Sequence, residues 1–228
     1  MSNRFLSLQQ EIGHQRLITK RFVRTKTLPV LKKKSDASGK RAVSSSSSIF
    51  KYLTHGQALP RKDPRQLTTS AQGIDFIMEW EDFRAMPYND AEGYCTIGYG
   101  HLIARDACEQ IAMPPMFENG ISEENAVELF KERLVIFETA IRRDITVPLY
   151  QHEFDALVSL VFNTGPNFLN TGGVGGGETQ IKTHINAQHY HQGADEMADV
   201  TNGGVAGLIK RRTAEINMFK NNIYDASH

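Results

Sequence analysis

Glu81-Asp82-Phe83-Arg84-Ala85-Met86-Pro87-Tyr88-Asn89-Asp90-Ala91-Glu92-Gly93-Tyr94-Cys95-Thr96-Ile97-Gly98-Tyr99-Gly100-His101-Leu102 decides how this chain folds. Asn89-Asp90 and Glu92-Gly93 are turn chemistry, since Asn and Asp bond their own backbone and Gly accepts positive φ. Tyr94 to Gly100 is aromatic, β-branched and glycine-rich, which reads as a strand or an irregular hairpin. On such a strand Tyr94, Thr96, Gly98 and Gly100 share one face. Cys95, Ile97, Tyr99 and His101 share the other.

Upstream, the texture is helical. Ser70 is placed to cap a helix running to about Glu81. Ile74, Ile77, Met78 and Glu81 fall at i, i+3, i+4 and i+7, one face of that helix. Downstream of about residue 104 the pattern is helical to the end. A short helix is expected near Arg105 to Ile111, stopped by Pro114-Pro115. Ser122 caps a long helix whose apolar positions are Val127, Phe130, Leu134, Phe137 and Ile141. Pro148 stands near the start of the next helix, which runs to Phe162 and is apolar enough to be the buried centre. The glycine-rich loop Gly172 to Gly177 separates it from a helix through Ile181 to Gln188, and a last helix begins near Gly207. There is no internal repeat. The expected class is α+β, mainly helical, with a small β lobe near 82–103 and a helical lobe. A cleft between two such lobes suits an extended polymer.

The formal net charge of zero conceals a split. Residues 1–70 hold 15 Lys+Arg and 3 Asp+Glu, whereas 71–228 hold 11 and 23. The first part includes Lys32-Lys33-Lys34 and the run Ser44 to Ser48, so it is expected to be a basic, flexible arm. The domain division is therefore an arm over 1–70, for delivery or docking, and a folded domain over 71–228. No apolar run reaches the roughly 18 residues that span a membrane. The N-terminus lacks the apolar core of a secretory signal. Cys95 and Cys108 are expected to be two partly buried free thiols; their spacing suggests no zinc site.

Three side chains in the opening stretch carry chemistry. Glu81 closes an apolar helical face, where a carboxyl partly out of water suits a proton donor. Asp90 lies nine residues on, in a polar turn that favours a carboxylate. Two carboxyls in contrasting surroundings form the acid/base arrangement of glycoside hydrolysis. Thr96 follows on the strand, with a hydroxyl able to hold a water beside Asp90.

Glu81, Tyr88, Asp90, Gly93, Thr96, Ile97, Gly98, Gly100 and His101 keep the spacing of the active-site signature of bacteriophage-type lysozymes, which this stretch resembles. Phe154-Asp-Ala-Leu-Val-Ser-Leu-Val-Phe-Asn163-Thr-Gly165 is similar to that family's central helix. Gly207-Leu-Ile-Lys-Arg211-Arg212-Thr-Ala-Glu215 is similar to its C-terminal element. The resemblance covers roughly 71–220 and implies a lysozyme-like two-lobe domain. It also implies an endolysin or muramidase activity, cleaving the β-1,4 bond between N-acetylmuramic acid and N-acetylglucosamine with inversion. On the matching positions, Glu81 is the proton donor and Asp90 and Thr96 position or activate the water. Tyr88, Gly100, His101 and Asn163 are expected to contact substrate. One departure is Asp82, where the family commonly has Gly; a second carboxylate there bears on the pH optimum.

No cofactor and no metal are expected: His184, His189 and His191 lack a carboxylate pattern to complete a site. His101 is expected to be a packed histidine, and Arg211-Arg212 to form salt bridges. The expected partner is the peptidoglycan glycan strand. A cognate inhibitor or immunity protein is expected if the chain is an antibacterial toxin. The basic arm is expected to meet an anionic envelope surface or delivery machinery. No nucleic-acid partner is expected, since no recognition motif accompanies the lysine run. The chain would be made in the cytoplasm and act in the periplasm or cell wall, reaching it by lysis or a secretion system. The competing reading is a non-catalytic wall-binding module on the same scaffold.

Overall fold

The computed structural model describes residues 60–227. Helix α1 spans Ala71–Met78, and the Ser70 side chain accepts from the Gly73 N–H as its cap. Phe76 and Ile77 are its buried apolar residues. The helix stops one turn earlier than the periodicity predicts. Trp80 N bonds Ile77 O and Glu81 N bonds Met78 O, so the last turn tightens and the chain leaves the helix axis. That exit lets Phe83 reach Tyr99, with ring centroids 5.3 Å apart. Glu81 therefore sits in the turn between helix and sheet.

The sheet has three antiparallel strands in the order β1 (Arg84–Asn89), β2 (Cys95–Gly98) and β3 (His101–Ala104). Tyr88 pairs with Thr96 across β1 and β2, and Thr96 with Leu102 across β2 and β3. All four β2 residues are buried, so the simple two-face alternation fails; β2 is the central strand and lies against α2. Gly98 has φ +65°, and a Cβ there would stand 3.0 Å from the Ala126 Cβ, which explains why the strand must end on glycine.

The expected helix over Arg105 to Ile111 is a single 3-10 turn, Cys108–Gln110. The segment is tied back to the sheet instead: Cys108 N donates to the Asn89 side chain, and Cys95 N donates to Asp106 O. Cys108 is also disulfide-bonded to Cys95, which corrects the expectation of two free thiols.

Helix α2 (Glu123–Asp144) is capped by Ser122 and buries Phe130, Leu134, Phe137 and Ile141. Helix α3 (Gln151–Thr164) buries every residue from Glu153 to Val161, as a central helix must. Short helices α4 (Phe168–Thr171), α5 (Gln180–Asn186) and α6 (Tyr190–Asp195) follow. Helix α7 (Ala206–Asn221) packs along α3 and ends at Asn222 in the left-handed conformation. One apolar core runs through α1, α2, α3, α5 and α7.

The packed body starts upstream of the boundary expected at residue 70. Lys62 and Leu149 exchange two backbone hydrogen bonds of 2.8 Å. Arg61 pairs with Glu153 at 2.7 Å and lies over the Tyr150 and Tyr190 rings. Leu67 is buried, and Thr69 donates twice to Glu138 Oε1. The expectation of a flexible basic arm otherwise falls on residues 1–59, outside the described residues. Among the described residues, no helix is long and apolar enough to cross a membrane.

Candidate active site

The turn after α1 leaves the Glu81 side chain 27% exposed. Its Oε1 accepts from Arg211 Nη1 at 3.0 Å. Arg211 comes from α7 and is itself buried, so one carboxylate oxygen of Glu81 is fixed from across the fold.

Asp90 closes the turn between β1 and β2. Its N–H donates to Tyr94 O, and its Oδ1 accepts from Glu92 N and Tyr94 N, each at 2.9 Å. Oδ2 is left facing Thr96, whose Oγ1 lies 3.2 Å away. Gly93, with φ +83°, lets the turn fold back this tightly. Thr96 is 3% exposed, and its hydroxyl is also 3.2 Å from Tyr94 O. One proton serves one of those acceptors at a time, while the hydroxyl oxygen keeps lone pairs for a water.

Tyr88 stands opposite Thr96 on β1. Burial pushes its phenol pKa up, the guanidinium of Arg84, 4.4 Å over its ring, opposes this, and the fields of Asp90, Glu81 and Asp82 add to it. Tyr88 thus lies within electrostatic reach of all three carboxylates. Gly100 O accepts from Arg133 of α2. Burial pulls the Arg133 guanidinium below its usual value, and Glu81 and Tyr88 oppose the shift, which puts Arg133 in the same field. His101 packs against Phe117 with centroids 5.8 Å apart. Burial lowers its pKa, Arg133 adds to that, and Glu132 opposes it.

Of the residues singled out in the sequence, the structure brings Tyr88, Asp90 and Thr96 together on β1, β2 and the turn between them, while Glu81 is held by Arg211 and lies within the electrostatic reach of Tyr88 and of Arg133, the partner of Gly100. Asn163, exposed in the last turn of α3, is linked to Glu81 through side chains of α7: its Oδ1 accepts from Arg212 Nη2 at 2.5 Å, and Arg212 shares Glu215 with Arg211. Arg211 and Arg212 are in ion pairs, as expected of them. Sequence reasoning missed Arg133 and Ser159, isolated polar residues on helices that otherwise read as amphipathic or apolar. Glu215 carried a signal, falling four residues after Arg211 and three after Arg212 on one helical face. Among the described residues, no three His, Cys, Asp or Glu side chains gather to hold a metal ion.

A family model described as phage lysozyme matches residues 78–215. The endolysin of Salmonella phage P22 is 34% identical over 126 residues, covering 55% of this chain and 78% of that protein. The endolysin of Bacillus phage B103 is 29% identical over 158 residues, 67% of this chain; the match spans about half, 54%, of that relative's length. Among solved structures, the muramidase domain of SpmX from Asticaccaulis excentricus is 27% identical with a TM-score of 0.56, covering 68% of this chain and 99% of that one.

Proposed function

This chain belongs to the phage lysozyme family, and from that premise we propose that it is a muramidase hydrolysing the β-1,4 bond between N-acetylmuramic acid and N-acetylglucosamine in peptidoglycan. The observation that carries this reading is the Asp90–Thr96 contact of 3.2 Å, together with a Glu81 that is partly exposed and, among the described residues, held by Arg211 through Oε1.

In this reading Glu81 gives its proton to the glycosidic oxygen through Oε2, the oxygen that Arg211 leaves open. The bond from that oxygen to C1 of N-acetylmuramic acid breaks as the proton arrives, and positive charge develops at C1 and the ring oxygen. A water held between Asp90 Oδ2 and the Thr96 hydroxyl attacks C1 from the opposite face. Asp90 takes the proton that the water loses. The products are a free 4-hydroxyl and an inverted hemiacetal, and solvent returns Glu81 and Asp90 to their starting states. Inversion of this kind requires the carboxyls to be roughly 6.5–9.5 Å apart, leaving room for the water. Tyr88, Gly100, His101 and Asn163 are read as substrate contacts.

The substrate lies outside the cytoplasmic membrane. The chain is read as reaching it by host lysis, as an endolysin, or through a secretion system, as an antibacterial toxin with a cognate inhibitor. The basic segment upstream of residue 60 is read as the part that meets the anionic envelope.

The test is incubation of isolated Gram-negative peptidoglycan with the wild type and with Glu81→Gln, followed by mass spectrometry of the borohydride-reduced soluble products. Muropeptides ending in reduced N-acetylmuramic acid from the wild type alone are the expected result. Equal release by Glu81→Gln sinks the assignment of the acid, and release of N-acetylglucosamine ends or free peptides sinks the bond assignment.

A further inference from the structure

Glu81 lies in a turn, so no regular backbone ladder fixes its carboxyl. Among the described residues its ion-pair partner is Arg211, 130 residues away in sequence. What holds Arg211 therefore bears on where Glu81 points. Arg211 Nε donates to Glu215 Oε1 at 3.3 Å, one turn along α7. Ser159 Oγ, from the centre of α3, donates to the same oxygen at 2.6 Å. Glu215 Oε2 faces Arg212 Nη1 at 3.1 Å, and Arg212 Nη2 reaches Asn163. Ser159 and Glu215 are fully buried, Arg212 is 1% exposed and Arg211 4%.

Such a cluster is a poor device for stability alone. Apolar residues of similar volume serve a buried core as well as buried ion pairs or better. Here Arg211 Nη2 and Arg212 Nε are also buried without a hydrogen-bond acceptor among the described residues. The cluster does constrain direction. A guanidinium held at Nε by one carboxylate presents Nη1 along a fixed line, and Glu81 Oε1 lies on that line.

Resting on the reading of Glu81 as the proton donor, we propose that Glu215 is a positioning residue for the reaction: anchored by Ser159, it aims Arg211 at Glu81 and so sets the open oxygen of that carboxyl toward the glycosidic bond. Glu215 touches no substrate. Removing its charge leaves Arg211 and Arg212 as adjacent cations without their shared anion, and Arg211 keeps Glu81 as a counter-ion but loses the contact at Nε that fixes its direction. Misplacement of a reacting group by about 1 Å costs on the order of a hundredfold in rate.

The experiment measures kcat and KM on soluble, uncrosslinked peptidoglycan strands for the wild type, Glu215→Gln, Ser159→Ala and Glu81→Gln, at a temperature where circular dichroism shows each fully folded. Glu215→Gln is expected to lose about ten- to a hundredfold in kcat with KM within about twofold, since the lost interaction acts on the reacting carboxyl and not on binding. Ser159→Ala, which removes one hydrogen bond and keeps every charge, is expected to lose about three- to tenfold in kcat with KM unchanged. Ser159→Ala decides the matter alone if Glu215→Gln does not fold. Wild-type kcat per folded molecule in either variant, with only a lowered melting temperature, reduces the cluster to a structural one and overturns the proposal. Glu81→Gln separates the two readings: if it stays active, the acid assignment fails, and if it is dead while the other two run at full kcat, only the positioning role fails.

Discussion

Cys95, the residue before Thr96, is bonded to Cys108, so the disulfide ties the central strand of the sheet to the turn after β3. The β lobe has few buried apolar residues of its own, and a cross-link closing a loop of this length contributes on the order of 3 kcal/mol. Cys108→Ala is expected to lower the melting temperature and to speed amide exchange in residues 84–110, while α3 and α7 keep their protection. Unchanged exchange in the sheet would show that the bond is dispensable. A disulfide also accords with a site of action outside the reducing cytoplasm.

Asp90 and Thr96 separate by experiment. Asp90→Asn keeps an oxygen for the Glu92 and Tyr94 N–H groups and removes the proposed base, so the fold is expected to survive and the rate to fall by about a hundredfold or more. Thr96→Val keeps the β-branched shape and removes only the hydroxyl that faces Asp90, and a smaller loss, about tenfold, is expected. Steady-state rates on soluble strands check both. A Thr96→Val defect larger than that of Asp90→Asn would move the water-activating role to the threonine.

The packing of residues 61–70 sets where the chain can be cut. Deletion of 1–59 is expected to leave the melting temperature and the activity on purified strands unchanged, and to weaken binding to anionic vesicles at low salt. Deletion of 1–70 also removes buried Leu67, worth about 1.5–3 kcal/mol, and the Ser70 cap, worth about 1 kcal/mol. At about 2–4 °C per kcal/mol for a domain of this size, it should melt roughly 5–15 °C lower. Vesicle binding that survives the shorter deletion would remove the basic segment from envelope attachment.

Gly73 sits against α3. A Cβ there would stand 2.7 Å from Asp155 Cγ, and Asp155 accepts from Ser70 N, Ser70 Oγ, Gln151 and Tyr224. Gly73→Ala is expected to destabilise by about 1–3 kcal/mol, because the clash falls on a short, buried and fully bonded side chain. Chemical denaturation measures it. A neutral or stabilising result would mean that α1 shifts freely on α3.

The candidate site is legible in the sequence because Glu81, Tyr88, Asp90 and Thr96 lie within 16 consecutive residues whose turn and strand chemistry places them locally. The long helices were readable for the same reason: Ser122 with the repeat Phe130, Leu134, Phe137 and Ile141 is a local signal. Contacts across the chain were not. The Arg211–Glu81 pair depends on how α7 docks on α3, and nothing in either segment names the other. The disulfide was missed because two cysteines 13 residues apart define no framework without strand register. In the sequence the segment over 61–70 reads as arm because Leu67 and Arg61 are single anchors in a polar stretch, with no periodicity to show burial.

The most direct measurement of the proposed chemistry is the anomeric configuration of the first N-acetylmuramic acid hemiacetal released, read by proton NMR before mutarotation. A water aligned by Asp90 and Thr96 opposite the proton donor gives the α anomer as the first product, and Glu81→Gln gives none. A first product in the β configuration would contradict the account, because Asp90 would then be attacking C1 itself and Thr96 would hold no nucleophilic water.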